Sequence, residues 1–313
     1  MNVRQALLDD ISDITEIYRS HINEWQRFAP DGTLIPADYN ELTLFERWQH
    51  GGAWLSAETC AIWTGYLLQS TEGIPLVCEV DGVVLGHAEV FIGQEAEPYG
   101  HHINIATLCV RKDVGQQGIG TALVRYVEDM ARVLKCQQVT VSNPQPPQFY
   151  ERNGFSPAVT RYHVRLPAHE GRVFYKARDL AVLDPAQIHG WYMPLGRYQN
   201  ARQEWERMRW DLWNGVPQLV ETDWHRLFIE LTGQPGILHL HQHRGEPLTV
   251  TARLWTKNAV STLILSAVKD RAARLGYTTI ETVIDSDNRS LLPDAEAANK
   301  VHWVYTRQLH HNG

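Results

Sequence analysis

The residues of this chain best suited to chemistry form a glycine-rich turn between an apolar strand and an amphipathic helix. Gly115, Gly118 and Gly120 follow one another closely, and helical periodicity begins directly after them. Glycine lets consecutive backbone N–H groups approach one anion, and the start of a helix adds the positive end of its dipole. The pattern therefore predicts a cradle for a phosphate group.

Two common phosphate motifs are excluded at this turn. The segment lacks the Gly-Lys-Ser/Thr ending of a P-loop, and its spacing is not Gly-x-Gly-x-x-Gly with an acidic residue about 20 residues further on. The alternative is a tight connection that binds nothing. If the turn binds a ligand, that ligand is a nucleotide-bearing molecule other than those bound by these two motifs.

The turn resembles the acyl-CoA loop of the GNAT N-acetyltransferase family, whose pattern is Arg/Gln-x-x-Gly-x-Gly/Ala. Gly118 and Gly120 match it, while Gly115 stands where the family usually has Arg or Gln. Residues 149–155, Phe-Tyr-Glu-Arg-Asn-Gly-Phe, resemble the family's Tyr-x-x-x-Gly-Phe segment at the expected distance. The resemblance covers residues 1–166 and implies a GNAT acyl-CoA-binding catalytic domain there.

The resemblance also implies which residues hold the donor, acetyl-CoA. In the family, the strand before the loop binds pantetheine through its main chain, the loop binds the pyrophosphate, and a residue after the next strand contacts the pantetheine arm. No metal is implied. The implied donor-binding residues are Leu108, Cys109, Val110, Gly115, Gln116, Gln117, Gly118, Ile119, Gly120, Thr121 and Asn143.

Tyr150 occupies the position of the family's general acid. A phenol with a pKa near 10 can protonate a thiolate whose parent thiol has a pKa near 8.5 only if the two groups are held close together. The alternative is a core tyrosine with one satisfied hydrogen bond.

The general base is less well defined, because Asn104 stands where several family members carry Glu and an amide cannot accept a proton at neutral pH. The candidates to replace it are Glu89, His87, His101 and His102. His87 and Glu89 share one face of a strand, so both line the cleft or both point into the helices. We predict Glu89 as the base.

Periodicity predicts the elements that position these residues. Apolar runs predict strands over 75–80, 83–92 and 103–110, with a tight hairpin at Asp81-Gly82, and a helix over 118–135. The aromatic segment 21–70, with Trp25, Trp48, Trp54 and Trp63, lies where the resemblance implies that the acceptor pocket is shaped; the alternative is that its tryptophans fill the core. The predicted fold is α/β (α+β), a mixed, mostly antiparallel sheet flanked by helices.

The second half of the chain repeats this pattern at a shift of 141 residues. Residues 118–122 align with 259–263, and the apolar stripe of the helix recurs after them. Ala259 and Ser261 replace the loop glycines, so added Cβ atoms would crowd a pyrophosphate. We interpret residues 167–313 as a degenerate GNAT-like domain that is structural or shapes the substrate site; an α/β domain of other ancestry is the alternative.

Composition restricts the partners. A formal net charge of −7 and a pI near 6.1 argue against nucleic acid or an anionic membrane and favour a cationic amine. Neither a leader nor a membrane span is recognisable, which predicts a cytoplasmic protein. Scattered cysteines favour reduced core residues, and a homodimer is one candidate assembly. Alternating histidines at 239, 241 and 243 raise the alternative of a metal site, which we do not favour.

These observations predict an enzyme that transfers an acetyl or short acyl group from acyl-CoA to a small-molecule or peptide amine by direct attack on the thioester. A non-catalytic acyl-CoA sensor or scaffold is the alternative, favoured by Asn104 and the degenerate second half. A third hypothesis gives catalysis to the C-terminal domain, and Ala259 and Ser261 argue against it.

Overall fold

The computed structural model describes residues 1–29, 33–69, 72–115, 117–180, 184–208, 210–220, 223–243 and 246–309. Its contacts divide the chain into two compact units that interleave along the sequence. Unit 1 comprises Met1–Phe91, Ile105–Leu134 and Arg209–Glu221, and unit 2 comprises Ile92–Asn104, Lys135–Met208 and Thr222–Gly313. A boundary between residues 166 and 167 stays a prediction, because these units follow contacts rather than the two predicted copies.

The strands are β1 (Asn2–Gln5), β2 (Gln26–Phe28), β3 (Leu34–Pro36), β4 (Gly73–Val80), β5 (Val83–Gln94), β6 (His101–Val110), β7 (Gln138–Ser142), β8 (Ser156–Pro167), β9 (Ala177–Asp179), β10 (Tyr192–Leu195), β11 (Asp223–Leu231), β12 (Gly236–His243), β13 (Thr249–Thr256), β14 (Thr279–Asp285) and β15 (Glu296–Gln308). The α-helices are α1 (Ile11–Arg19), α2 (Leu44–Gln49), α3 (Ala57–Gln69), α4 (Ile119–Val133), α5 (Pro147–Arg152), α6 (Ala201–Arg207), α7 (Pro217–Val220) and α8 (Thr262–Arg274). None of the helices in the described ranges is long and apolar enough to cross a membrane.

In unit 1, strands β1, β4, β5 and β6 lie side by side. The predicted hairpin at Asp81-Gly82 is confirmed: both residues have positive φ, 51° and 81°, and β4 and β5 pair antiparallel around them. Helix α1 packs its isoleucines on one face of the sheet. On the other face α4 lies so close to β5 that a Cβ at Gly86 would meet Ile119 Cγ2 at 2.6 Å.

In unit 2, the strand order is β7, β15, β8, β14, β13, β12, β11 and β9. Only β13 and β14 among these described pairs run parallel, over Thr249–Thr251 and Thr279–Glu281. The main core lies between β8, β11 to β14 and α8. The helix that the recurring stripe predicted in the second half is present as α8, and β14 follows it. The predicted fold class, a mixed and mostly antiparallel α/β architecture flanked by helices, is confirmed.

Candidate functional site

The predicted phosphate cradle lies in unit 1, where β6 leads through a short 3₁₀ turn (Lys112–Val114) into α4. Gly118 is the residue before the helix, with φ 81° and ψ 4°, a left-handed conformation that favours glycine. A Cβ on it would find no atom within 4 Å. Gly115 has φ −54°, which any residue adopts. The turn therefore requires glycine at position 118 and leaves position 115 open to other residues.

No side chain of the described residues caps the start of α4. The first N–H groups of a helix have no partner within the helix, and the intrahelical bonds resume only where Ala122 donates to the carbonyl of Gly118. Gln117 and Gly118 are exposed, Gly120 and Thr121 are half-buried, and Ile119 is buried in the core. Gln116 lies outside the described residues. The turn thus presents uncapped amides at the positive end of a helix dipole.

Leu108, Cys109 and Val110 end the strand before the cradle. The carbonyl of Val110 is within 2.8 Å of His21 Nε2. Burial raises the pKa of the Cys109 thiol to about 12, and its side chain packs with the α1 core. The Cys109 thiol therefore stays protonated at neutral pH, and the strand offers no cysteine thiolate.

Glu89, the predicted base, is completely buried beneath two tryptophans. Trp54 Nε1 donates to Oε1 at 2.7 Å, and Trp63 Nε1 lies 3.0 Å from both carboxyl oxygens. Burial raises the pKa of Glu89 from 4.5 to about 7, although the indole hydrogen bonds act in the opposite direction. A carboxyl group with a pKa near neutrality is matched to general base catalysis at neutral pH.

His87 lies beside Glu89 on the same face of β5. Its Nε2 is 3.8 Å from Glu89 Oε1 and has no hydrogen-bond partner among the described residues, while its Nδ1 is 2.9 Å from the Tyr18 hydroxyl. That hydroxyl is also 3.0 Å from Thr107 Oγ1. Burial lowers the pKa of His87 to about 3, so the imidazole is neutral at physiological pH.

The raised pKa of Glu89 predicts a specific dependence of stability on pH. Between about pH 4.5 and 7 the folded protein keeps a proton that unfolded Glu89 has lost, so this group's contribution to the free energy of unfolding decreases as pH rises. The decrease should reach about 3 kcal/mol above pH 7. Urea denaturation of wild type and Glu89→Gln from pH 5 to 8 measures it, because the difference between the two proteins isolates this group. Parallel pH profiles would contradict the assignment.

The two remaining predicted residues, Asn143 and Tyr150, lie in unit 2. Asn143 follows β7 with φ 49°, and its N–H donates to the carbonyl of Trp303 at 2.7 Å. Tyr150 is buried in α5, with its ring edge-on to Phe149 and Phe155 at 4.9 and 5.8 Å. Because Trp303 belongs to β15, its hydrogen bond with Asn143 shows that this strand supports the segment after β7.

Contacts from β15 also support the helix that carries Tyr150. The Tyr305 hydroxyl donates to Glu151 Oε1 at 3.1 Å, and Arg307 donates to the carbonyl of Asn153 directly after the helix. Sequence reasoning missed this role of β15 because these contacts join residues that are 154 positions apart in the chain.

Asn104 and two of the other candidate bases, His101 and His102, have partners of their own in unit 2. Asn104 donates to Gln199 Oε1 and accepts from Thr140 Oγ1, both at 3.0 Å. His102 is buried with Nδ1 3.1 Å from the carbonyl of Gly100, and His101 Nε2 lies 3.7 Å from Cys136 Sγ. The structure thus groups His87 with Glu89, whereas His101 and His102 contact other residues.

Trp54, Trp63 and Tyr18 are functional candidates that sequence reasoning did not connect with Glu89 or His87. The first two lie in the aromatic segment that the resemblance associated with the acceptor pocket. The face-sharing of His87 and Glu89 was visible in the strand alternation. The indoles could not be matched to Glu89 in advance, because they reach it from 35 and 26 residues away.

The corresponding turn of unit 2 is built differently. Ser261 precedes α8, and its own Oγ accepts from the N–H of Ile264 at 3.3 Å, so a side chain already satisfies the helix start. Beside it, β10 pairs along β13, and the N–H of Gly196 donates to the carbonyl of Val283 on β14 at 2.8 Å. In unit 2, therefore, groups of the chain itself form these hydrogen bonds.

His239 and His241 are buried side by side on β12, with ring centroids 6.1 Å apart. The side chain of His243 lies outside the described part. Within the described ranges, no group of three or more His, Cys, Asp or Glu side chains is arranged to hold a metal ion. Among the described residues, the four cysteines form no disulfide bond with one another.

Comparison with known proteins adds independent information. The sequence model of the acetyltransferase (GNAT) family matches residues 23–155. A comparison with curated proteins finds no match.

The fold is similar to solved structures over nearly the whole chain. A GCN5-related N-acetyltransferase from Anabaena variabilis ATCC 29413 is 12% identical with a TM-score of 0.62, covering 99% of this chain and 73% of that one. One from Kribbella flavida is 14% identical with a TM-score of 0.60, covering 98% and 71%. Eis1 from Mycobacterium abscessus is 12% identical with a TM-score of 0.58, covering 98% and 74%. At these identities the similarity shows the fold alone.

Proposed function

We propose that this protein transfers an acetyl or short acyl group from acyl-CoA to an amine, because residues 23–155 match the sequence model of the GNAT acetyltransferase family. The observation that carries the proposal is the uncapped start of α4 behind a left-handed Gly118. A diphosphate placed there would accept hydrogen bonds from the main chain at the positive end of a helix dipole. Gly115 to Thr121 would bind the pyrophosphate, and Leu108 to Val110 with Asn143 would bind pantetheine.

The ammonium first gives one proton to Glu89. The neutral amine then attacks the thioester carbonyl, a C–N bond forms, and the C–S bond breaks with departure of a thiolate. Tyr150 supplies a proton to the thiolate, and the second proton that the nitrogen loses on becoming an amide returns the Tyr150 phenol to its neutral form. The role of Glu89 is supported by its pKa near 7, and the role of Tyr150 by its place in the matching motif.

The test of the proposal is titration calorimetry with acetyl-CoA, followed by measurement of thiol release with a broad panel of amines. We expect binding together with amine-dependent release of coenzyme A. Binding without release from any amine would favour the second candidate, a non-catalytic acyl-CoA sensor. The observation that favours this candidate is the buried Asn104, whose amide already has two partners.

Replacing Tyr150 by phenylalanine should lower kcat about 100-fold, since general acid catalysis typically contributes at least that much. The affinity for acetyl-CoA should change little, because the ring and its packing on Phe149 and Phe155 are retained. Steady-state kinetics and calorimetry measure the two effects. Tyr192→Phe, at a half-buried tyrosine on β10, is the control. Equal losses of kcat and affinity would show that Tyr150 acts through donor binding instead.

The acceptor is proposed to be a small-molecule or peptide amine that is cationic before reaction, in keeping with the net charge of −7. We propose that the enzyme acts in the cytoplasm, without nucleic acid, membrane or metal as a partner. A homodimer is a candidate assembly. Residues 167–313 are proposed as a degenerate GNAT-like domain. The Ser261 side chain caps the helix start of this domain, which supports a structural or substrate-shaping role.

A further inference from the structure

Glu89 cannot receive a proton by touching the acceptor. Its side chain is inaccessible to solvent, and both carboxyl oxygens face indole N–H groups of Trp54 and Trp63. A general base must reach the proton it removes, directly or through an intermediate group. If Glu89 is the base, some chain of hydrogen-bonding groups must connect it to the acceptor.

The structure contains one such chain of contacts in unit 1. It begins at the hydroxyls of two half-buried residues, Tyr18 and Thr107, whose oxygens are 3.0 Å apart. It continues from the Tyr18 hydroxyl to His87 Nδ1 at 2.9 Å, and ends with His87 Nε2 at 3.8 Å from Glu89 Oε1. Thr107 directly precedes Leu108, so the more accessible end lies beside the strand proposed to bind the donor.

We propose that Tyr18 and His87 relay the acceptor's proton to Glu89, with Thr107 orienting the Tyr18 hydroxyl. This inference rests on the proposed acetyl transfer. The ammonium group gives a proton to the Tyr18 oxygen while the Tyr18 proton passes to His87 Nδ1. The Nε2 proton of His87 passes to Glu89 Oε1, across a gap that must shorten to hydrogen-bond length. One proton leaves the amine, one arrives at Glu89, and the two relay groups end neutral.

The direction of each hydrogen bond follows from this scheme. Tyr18 donates to His87 Nδ1, so neutral His87 carries its proton on Nε2, the nitrogen that faces the Glu89 carboxylate. Thr107 then donates to the Tyr18 oxygen. A buried imidazole N–H without an acceptor is costly. Its position beside a carboxylate explains why that cost is tolerated here.

The surrounding charges keep both relay groups neutral between turnovers. Burial lowers the pKa of His87, and the negative charge of Asp10 opposes this only in part. Burial raises the pKa of Tyr18, and the groups at Cys109, Glu89 and Cys60 act in the same direction. Glu89 is therefore the one member of the chain that changes charge near neutral pH.

The experiment compares two nucleophiles with acetyl-CoA as donor. Hydroxylamine is uncharged at neutral pH and needs no base to become nucleophilic, whereas butylamine is an ammonium ion. In Tyr18→Phe, His87→Ala and Glu89→Gln, we expect the turnover of butylamine to fall about 100-fold. Turnover of hydroxylamine and affinity for acetyl-CoA should stay within a few-fold of wild type. Tyr126→Phe, an exposed tyrosine on α4, is the matched control for loss of a hydroxyl.

If these residues had a merely structural role, the variants would lose turnover of butylamine and of hydroxylamine equally, and that result would overturn the relay. Unchanged butylamine turnover in the variants would also overturn it. So would a wild-type protein that turns over hydroxylamine alone. If wild type turns over neither nucleophile, the proposed function fails and the relay with it. Thermal unfolding checks that each variant folds. If Tyr18→Phe does not fold, Thr107→Val removes only the orienting hydroxyl and should still lower butylamine turnover selectively.

Discussion

Replacing Gly118 by tryptophan should weaken acetyl-CoA binding about 100-fold. The substitution places a large ring in the open space beside the start of α4, where the proposed diphosphate would bind. A diphosphate that loses two or more charge-assisted hydrogen bonds loses about 3 kcal/mol of binding free energy, which corresponds to roughly 100-fold in affinity. Titration calorimetry with acetyl-CoA measures the loss directly.

The chain offers a matched control for this substitution in Gly82. Both glycines have φ 81°, both are exposed, and an added Cβ would meet no atom within 4 Å at either position. A tryptophan should therefore cost each variant a similar 1–2 kcal/mol or so of stability through its left-handed backbone. Only the variant at position 118 should lose donor affinity. Equal affinities in the two variants would remove the cradle assignment, whatever the stability of either protein.

How far this site could be predicted from sequence depends on the range of the interactions. The glycine turn, the α4 stripe and the Asp81-Gly82 hairpin follow from neighbouring residues, and the structure has them close to the predicted positions. Strand alternation placed His87 and Glu89 on one face of β5 but did not predict which residues pack against that face. Trp54, Trp63 and Tyr18 provide those surroundings through contacts that no local pattern encodes.

The same limit explains why the support of Asn143 and α5 was missed. Strand β15 hydrogen-bonds between β7 and β8, and its partners on β7 lie more than 160 residues earlier in the chain. Such a pairing depends on the edges that the rest of the sheet leaves free. The sequence pattern of β15 predicts a strand at most, and cannot select its neighbours.

Replacing Glu95 by glutamine should produce the largest loss of stability, about 3–5 kcal/mol, because it breaks a buried ion pair in unit 2. Arg197 donates to both carboxyl oxygens of Glu95 at 2.8 and 3.0 Å, and the two side chains are 3% and 2% exposed. The N–H of Ala201 donates to the same carboxyl group at 3.0 Å. The variant would leave the Arg197 charge in the interior without its counter-ion. Urea denaturation near pH 7 measures the change.

An exposed ion pair of the same unit is a control that distinguishes the effect of losing a charge from the effect of its burial. Glu230 and Arg178 are 2.7 Å apart with side chains 31% and 69% exposed, so Glu230→Gln should cost about 0–1 kcal/mol. The double variant Glu95→Leu with Arg197→Met tests the cause more sharply. It removes both charges while keeping apolar volume, and should recover much of the stability that Glu95→Gln loses, because no buried charge is left unpaired. If the double variant is as unstable as Glu95→Gln, the loss comes from packing and from the Ala201 hydrogen bond rather than from the charge.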